Sequence, residues 1–378
     1  MRFVVLLTTL VVIFGCKISN TRVANESNLT WDQVGEFRFN SHSEITKDAL
    51  LAANQQLKAG PYRAKIDAWT ARLHSEGVFS DDLRLFSRMG REELNGGFFP
   101  ERHLDDGTGR TQNRLQEGNI AADLPKRLDL AVTRFMFDAY CKASAENIGV
   151  PIDAATCKNL PNIGIGQPLH FTREFIETRD AQGNVTGVHL ASALNSCRKS
   201  VKTIEGFTFK AQDAWRAGQE MLRQADAADD KAAPEIRKEA MKQFELMYLF
   251  LGVATHAIED SFAPAHAQRT AGNLRQINDL CYYYDNNILP PSTAGACAHA
   301  VGAGREPRDS IYFASNEVPR HFAILTTTVF LRRFAEVSLN EAGAGSRDGL
   351  RDFLNRYFTA ETGEGMGYFR CESLPAPR

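Results

Sequence analysis

Apolar positions recur along most of this chain at helical intervals. Residues 43–58 (SEITKDALLAANQQLK) open on a Ser and a Glu, signals of a helix start, and then space apolar side chains three and four apart. Residues 63–74, 120–147, 207–228, 234–260 and 317–337 show similar spacing and are expected to be helices. Within 234–260 the stretch FELMYLFLGVA is apolar nearly all round, which predicts a helix buried on every side. Strand signals are scarce. The best lies in 168–192, where LHFTREFIETRD and VTGVHLA flank Ala-Gln-Gly-Asn, a plausible hairpin turn. Gly/Pro-rich loops occupy 95–110, 149–168 and 289–309, and there is no internal repeat or low-complexity tract. The pattern predicts an all-α domain over 31–378 with one loop or hairpin insertion near 150–200, and no linker dividing it.

The N-terminus follows a different pattern. Residues 1–16 (MRFVVLLTTLVVIFGC) join one Arg to about a dozen apolar residues, then Gly15 and Cys16. That is a secretory signal with a run too short to span a bilayer comfortably. Ile13-Phe14-Gly15-Cys16 resembles a bacterial lipobox, although Phe14 stands where a small residue is usual. Cys16 is therefore expected to be lipidated, with ordinary cleavage elsewhere as the alternative. Residues 17–30 are polar and read as a tether or pro-segment. Either way the expectation is an extracytoplasmic protein, lipid-anchored to a bacterial membrane or secreted.

Composition narrows the classes. The chain has 378 residues, 43% of them apolar and 24% charged, enough to bury a core and too much for dominant disorder. Lys plus Arg number 44 and Asp plus Glu 46, with no basic block, which argues against a polybasic nucleic-acid binder. A membrane channel is excluded because the single long apolar run sits at the extreme N-terminus. Setting Cys16 aside leaves Cys141, Cys157, Cys197, Cys281, Cys297 and Cys371, an even number that suits disulfides in an oxidising compartment. Six cysteines allow fifteen connectivities. Pairing sequence neighbours gives Cys141–Cys157 and Cys281–Cys297 and leaves Cys197–Cys371.

Candidate chemistry concentrates in 248–269, YLFLGVATHAIEDSFAPAHAQR. His256 and Asp260 are four apart, so a helix puts both on one face, where an imidazole and a carboxylate can share one ion. Pro264 ends the helix and His266 follows. Such nitrogen and oxygen donors suit zinc. A carboxylate near the negative end of a helix dipole is unfavourable, and a bound cation would explain it. Without a metal, His256 caps a core and Asp260 is an ordinary terminal carboxylate.

The pattern His-x-x-x-Asp-x-x-x-Pro-x-His, carried here by His256, Asp260, Pro264 and His266, resembles the signature of the bacterial zinc-dependent phospholipase C family. That family shares an all-α fold with the fungal single-strand nucleases. The resemblance implies a cluster of two to three zinc ions. It implies further ligands at His42, in Asn40-Ser41-His42, and at His103, in Arg102-His103-Leu-Asp105-Asp106-Gly. It implies an acidic ligand at Glu93, or at Glu92, which would also orient the attacking water; Glu93 and Asp260 are the expected catalytic acids. A later His/acid pair is best matched by His299 with Asp309, or Glu306, delayed by an insertion over 270–298. The family also uses its mature N-terminal Trp as a ligand. Trp31 would serve only if the chain were cut after Thr30, which conflicts with a lipidated Cys16 unless a second cleavage occurs; otherwise Trp31 is a core or hinge aromatic.

The resemblance covers roughly 31–110 and 240–320, and 150–200 has no counterpart in it. His74, His170, His189 and His321 lack converging acidic partners in sequence and read as structural. Tyr282-Tyr283-Tyr284 packs under a loop or lines a choline or lipid pocket. There is no G-x-S-x-G elbow, P-loop or dinucleotide fingerprint. The leading expectation is a phosphodiester hydrolase cleaving phospholipids by metal-activated water, at a membrane surface and without a specific protein partner. The alternatives are a single-strand nuclease and a non-catalytic surface lipoprotein with a degenerate metal site.

Overall fold

The computed structural model of the chain describes residues 45–46, 48–75, 131–158, 160, 164–263, 266–270, 273–281, 317–340, 348–352, 354 and 371. Among them helices dominate. In chain order they are α1 (45–59), α2 (Arg63–Ser75), α3 (Ala131–Ile148), a short α4 (Ala154–Lys158), α5 (Ala193–Ala227), α6 (Ala233–Asp260) and α7 (Glu317–Leu339). A 3-10 helix (Gly164–His170) leads into an antiparallel hairpin, β1 (Phe175–Arg179) with β2 (Val185–Leu190). A second hairpin, β3 (Ala267–Thr270) with β4 (Asn273–Leu280), follows α6. No described helix is long and apolar enough to cross a membrane.

The core is built around α6, whose residues 244–255 are all buried, as the apolar run predicts. The long α5 packs along it. Trp69 of α2 meets Trp215 of α5 and Phe244 of α6 edge-on, with ring centroids 4.7 and 4.8 Å away. Tyr140 of α3 stacks on Phe207, which in turn meets Phe250. Phe330 and Phe334 of α7 close the other side, fully buried. One polar bond ties α1 to α6: buried Thr46 donates from Oγ1 to Glu259 Oε1 at 2.7 Å. Thr46 of α1 is thus moored beside the C-terminal end of α6.

The expected helices over 43–58, 63–74, 234–260 and 317–337 appear within a few residues of their predicted bounds, and the hairpin turns where expected, at Gly183 (φ 84°). Two differences stand out. The helix expected over 207–228 begins at Ala193, capped by Ser192, whose Oγ accepts from the Asn195 amide. Its first turns bury Ser196, Ser200 and Thr203, so no apolar stripe marks them. The second is a hairpin over 267–280, β3 with β4, where the sequence offered no strand signal and where the insertion read over 270–298 begins.

Two expected disulfides are present, Cys141–Cys157 and Cys197–Cys371. Cys281 is also disulfide-bonded, while Cys297 lies outside the described residues. Cys197–Cys371 ties positions 174 residues apart. Its removal in Cys197→Ser/Cys371→Ser is expected to lower unfolding free energy by about 2–5 kcal/mol, measured by denaturant titration under oxidising conditions.

Candidate metal centre

Asp260 is the last residue of α6, and its carboxylate is buried. The unfavourable helix end is relieved from outside by Arg269 of β3. Its Nε donates to the Ser261 carbonyl at 2.8 Å, and its guanidinium lies over the Phe262 ring at 4.3 Å. One turn back, His256 turns toward the same point, its Nε2 3.0 Å from Asp260 Oδ2. The third group is His170, at the end of the 3-10 helix. Its Nδ1 lies 3.1 Å from Asp260 Oδ2 and 2.9 Å from His256 Nε2.

These three atoms form a near-equilateral triangle, and hydrogen bonding alone cannot satisfy all its sides. A neutral imidazole nitrogen either donates or accepts, never both. If both nitrogens donate to the carboxylate, two N–H groups collide along the 2.9 Å side. If one donates to the other, the acceptor nitrogen turns a lone pair to the carboxylate 3.0 or 3.1 Å away. A cation facing all three lone pairs removes the conflict. Tetrahedral zinc ligands at about 2.0–2.1 Å lie roughly 3.3 Å from one another, close to the spacing here. Two imidazoles and a carboxylate therefore fit a divalent ion, though this donor set is not specific to zinc.

His266 adds a fourth donor. Its Nδ1 is 2.6 Å from the His170 carbonyl oxygen. A carbonyl only accepts, so Nδ1 carries the hydrogen and Nε2 is the lone-pair atom of the neutral ring. That Nε2 sits 3.7 Å from Asp260 Oδ1. The carboxylate thus has His170 and His256 against one oxygen and His266 near the other. Side-chain exposure rises from 1% at Asp260 through 8% at His266 and 13% at His256 to 25% at His170. The cluster is closed behind the carboxylate and opens on the His170 side.

Local sequence explains how a loop residue is held so firmly. Gly164 lets the 3-10 helix lie against the start of β1, where a Cβ would fall 1.8 Å from the Phe175 carbonyl oxygen. Phe171, buried and non-glycine, takes φ 50° immediately after His170. Such strain persists only where surrounding contacts impose it. Thr172 supplies some, donating from N to the Gln167 carbonyl, while its one hydroxyl hydrogen lies within reach of both that carbonyl and Gln167 Oε1.

The expected ligands thus divide into two groups. His256 and His266 both lie close to Asp260, at 3.0 and 3.7 Å. Trp31, His42, Glu93 (with Glu92), His103, Pro264, His299 and Asp309 (with Glu306) lie outside the described residues, as do Tyr282–Tyr284. The correction is His170, expected to be structural and found as the third corner of the cluster. Its acidic partner is 90 positions away, so no local spacing announces it. The nearest signal was its place between a Pro-containing 3-10 segment and a hairpin. His189 and His321 are exposed and stand outside the cluster.

Fold and site together define a mostly helical protein with a His–His–Asp group able to hold a metal ion. Compared with protein-family models, curated proteins and solved structures, the chain matches none.

Burial pushes the Asp260 carboxyl upward, but charge on His256 and His266 and hydrogen bonds from His170 and His256 outweigh it and hold it well below the ordinary range. A carboxylate lowered on folding contributes stability that is present above its unfolded value, near pH 4, and lost as pH falls through its folded one. The metal-free wild type is therefore expected to be more stable than Asp260→Asn at about pH 5.5, with the gap closing toward about pH 2.5. Urea midpoints at the two pH values measure this.

Proposed function

We propose that this chain is a zinc-dependent phosphodiester hydrolase of the phospholipase C type, exported and working at a membrane surface. The observation that carries the reading is the triangle of His170 Nδ1, His256 Nε2 and Asp260 Oδ2, with sides of 2.9–3.1 Å, at the end of a buried helix. Its support from sequence is the His-x-x-x-Asp-x-x-x-Pro-x-His pattern beginning at His256. The finer identity as an all-α phospholipase C-like domain rests on that pattern.

Each residue has a distinct part. His170, His256 and Asp260 would hold the ion, and His266 would contribute Nε2 because the His170 carbonyl holds the hydrogen on its Nδ1. Zinc held there would lower the pKa of a bound water toward neutrality, making a nucleophile available, and would serve as a Lewis acid for the phosphoryl oxygens. The buried Asp260 carboxylate gives the site its negative charge, and the exclusion of water behind it strengthens attraction to a cation. The open side at His170 is where a phosphodiester would approach. Glu93 remains the proposed acid for orienting the nucleophile, with Asp260 a ligand at the reacting centre. Cleavage of a phospholipid would release diacylglycerol and a phosphorylated head group.

The test is phosphocholine release from phosphatidylcholine vesicles with zinc present. Wild type is expected to turn over, and His256→Ala, Asp260→Asn and His170→Ala to lose at least about a hundredfold while keeping their helical circular dichroism. Full activity in those variants would refute the assignment. Degradation of single-stranded DNA without phosphocholine release would move it to the nuclease class.

A further inference from the structure

Two of the four clustered donors come from hairpin segments rather than from α6. His170 precedes the first hairpin, and His266 opens the second. Their alignment relies on a run of backbone bonds: the His266 ring donates to the His170 carbonyl, the Cys281 amide to the His266 carbonyl at 2.8 Å, and the Arg173 amide to the Cys281 carbonyl at 2.6 Å. The circuit closes from His170 through Arg173 and Cys281 back to His266. Arg173 is the member whose side chain also binds both hairpins. Its Nε donates to the Ala191 carbonyl at 2.6 Å, just beyond β2, and its guanidinium faces Asp279 of β4 at 3.8 Å. The Asp279 carboxylate is itself oriented by the Leu280 amide, whose nitrogen donates to Oδ1 at 2.8 Å.

From this geometry we infer that Arg173 is a positioning residue of the metal centre, a staple between the two hairpins that keeps His170 and His266 in register with His256 and Asp260. The inference rests on the metal-centre reading for its functional consequence, and on the bonds above for its structure. A guanidinium suits the task because it donates to a carbonyl just beyond one hairpin while its charge faces a carboxylate on the other. An outer-shell contact of this kind acts on affinity through ligand orientation. Lys199 of α5 offers a control, since it holds the start of the same hairpin. It pairs with Glu174 at 2.7 Å, anchoring the start of β1 to α5, and takes no part in the circuit.

Two readouts on the full chain test this. The first is hydrogen exchange of the His266 Nδ1–H in metal-free protein, followed by NMR with labelled histidine. The second is zinc affinity by competition with a chromophoric chelator. Arg173→Met is expected to speed the exchange at least about tenfold and to weaken zinc binding by about 10–100-fold. Arg173→Lys is expected to recover part of both. Lys199→Met is expected to leave both within about twofold, because the circuit survives it. Exchange in Arg173→Met within twofold of wild type overturns the inference, and so does unchanged affinity in a chain that binds zinc. If the wild type takes up no zinc, the metal reading falls, while faster exchange in Arg173→Met still upholds the staple.

Discussion

A carboxylate buried at the wrong end of a helix is the constraint around which this molecule is arranged. Asp260 terminates α6, the helix at the centre of the described core, where backbone carbonyls already concentrate negative charge. An unpartnered charge there would cost several kcal/mol. The chain meets that cost from three directions. His256 comes from within the helix, His170 and His266 from the two flanking hairpin segments, and Arg269 from β3 satisfies the adjacent Ser261 carbonyl. His170 and His256 face one carboxylate oxygen and His266 lies nearer the other.

Packing and chemistry are joined in the same helix. Residues 244–255 are committed to the core, so the last turn of α6 cannot move without disturbing the aromatic contacts of Trp69, Trp215 and Phe250. That rigidity fixes His256 and Asp260 relative to each other. The other half of the site lies on irregular backbone, where Phe171 holds a left-handed conformation directly after His170. Rigid helix and strained loop meet at one triangle of donor atoms. The helix sets the spacing of His256 and Asp260, and the loop sets the direction from which His170 arrives.

Much of this was legible in the sequence, for physical reasons. The i, i+4 spacing of His256 and Asp260 is a local property, and helical geometry converts it directly into a shared face. The apolar run before them marked the buried helix, and cysteine spacing marked Cys141–Cys157. What stayed hidden was long-range. His170 meets Asp260 across 90 residues, through a segment that resembles nothing in the phospholipase pattern. The start of α5 was hidden because small polar side chains, Ser196, Ser200 and Thr203, fill its buried face. The second hairpin was hidden because NLRQINDL is short and polar, and only its pairing with β3 makes it a strand.

The central claim is that the His170–His256–Asp260 triangle is a cation site. Elemental analysis of natively purified protein, never exposed to chelator, tests it most directly when wild type and His170→Ala are measured together. The account predicts tightly held zinc in the wild type, two to three ions if the whole proposed cluster assembles, with at least one ion lost in His170→Ala. No zinc in the wild type, or an unchanged zinc content in His170→Ala, would contradict it.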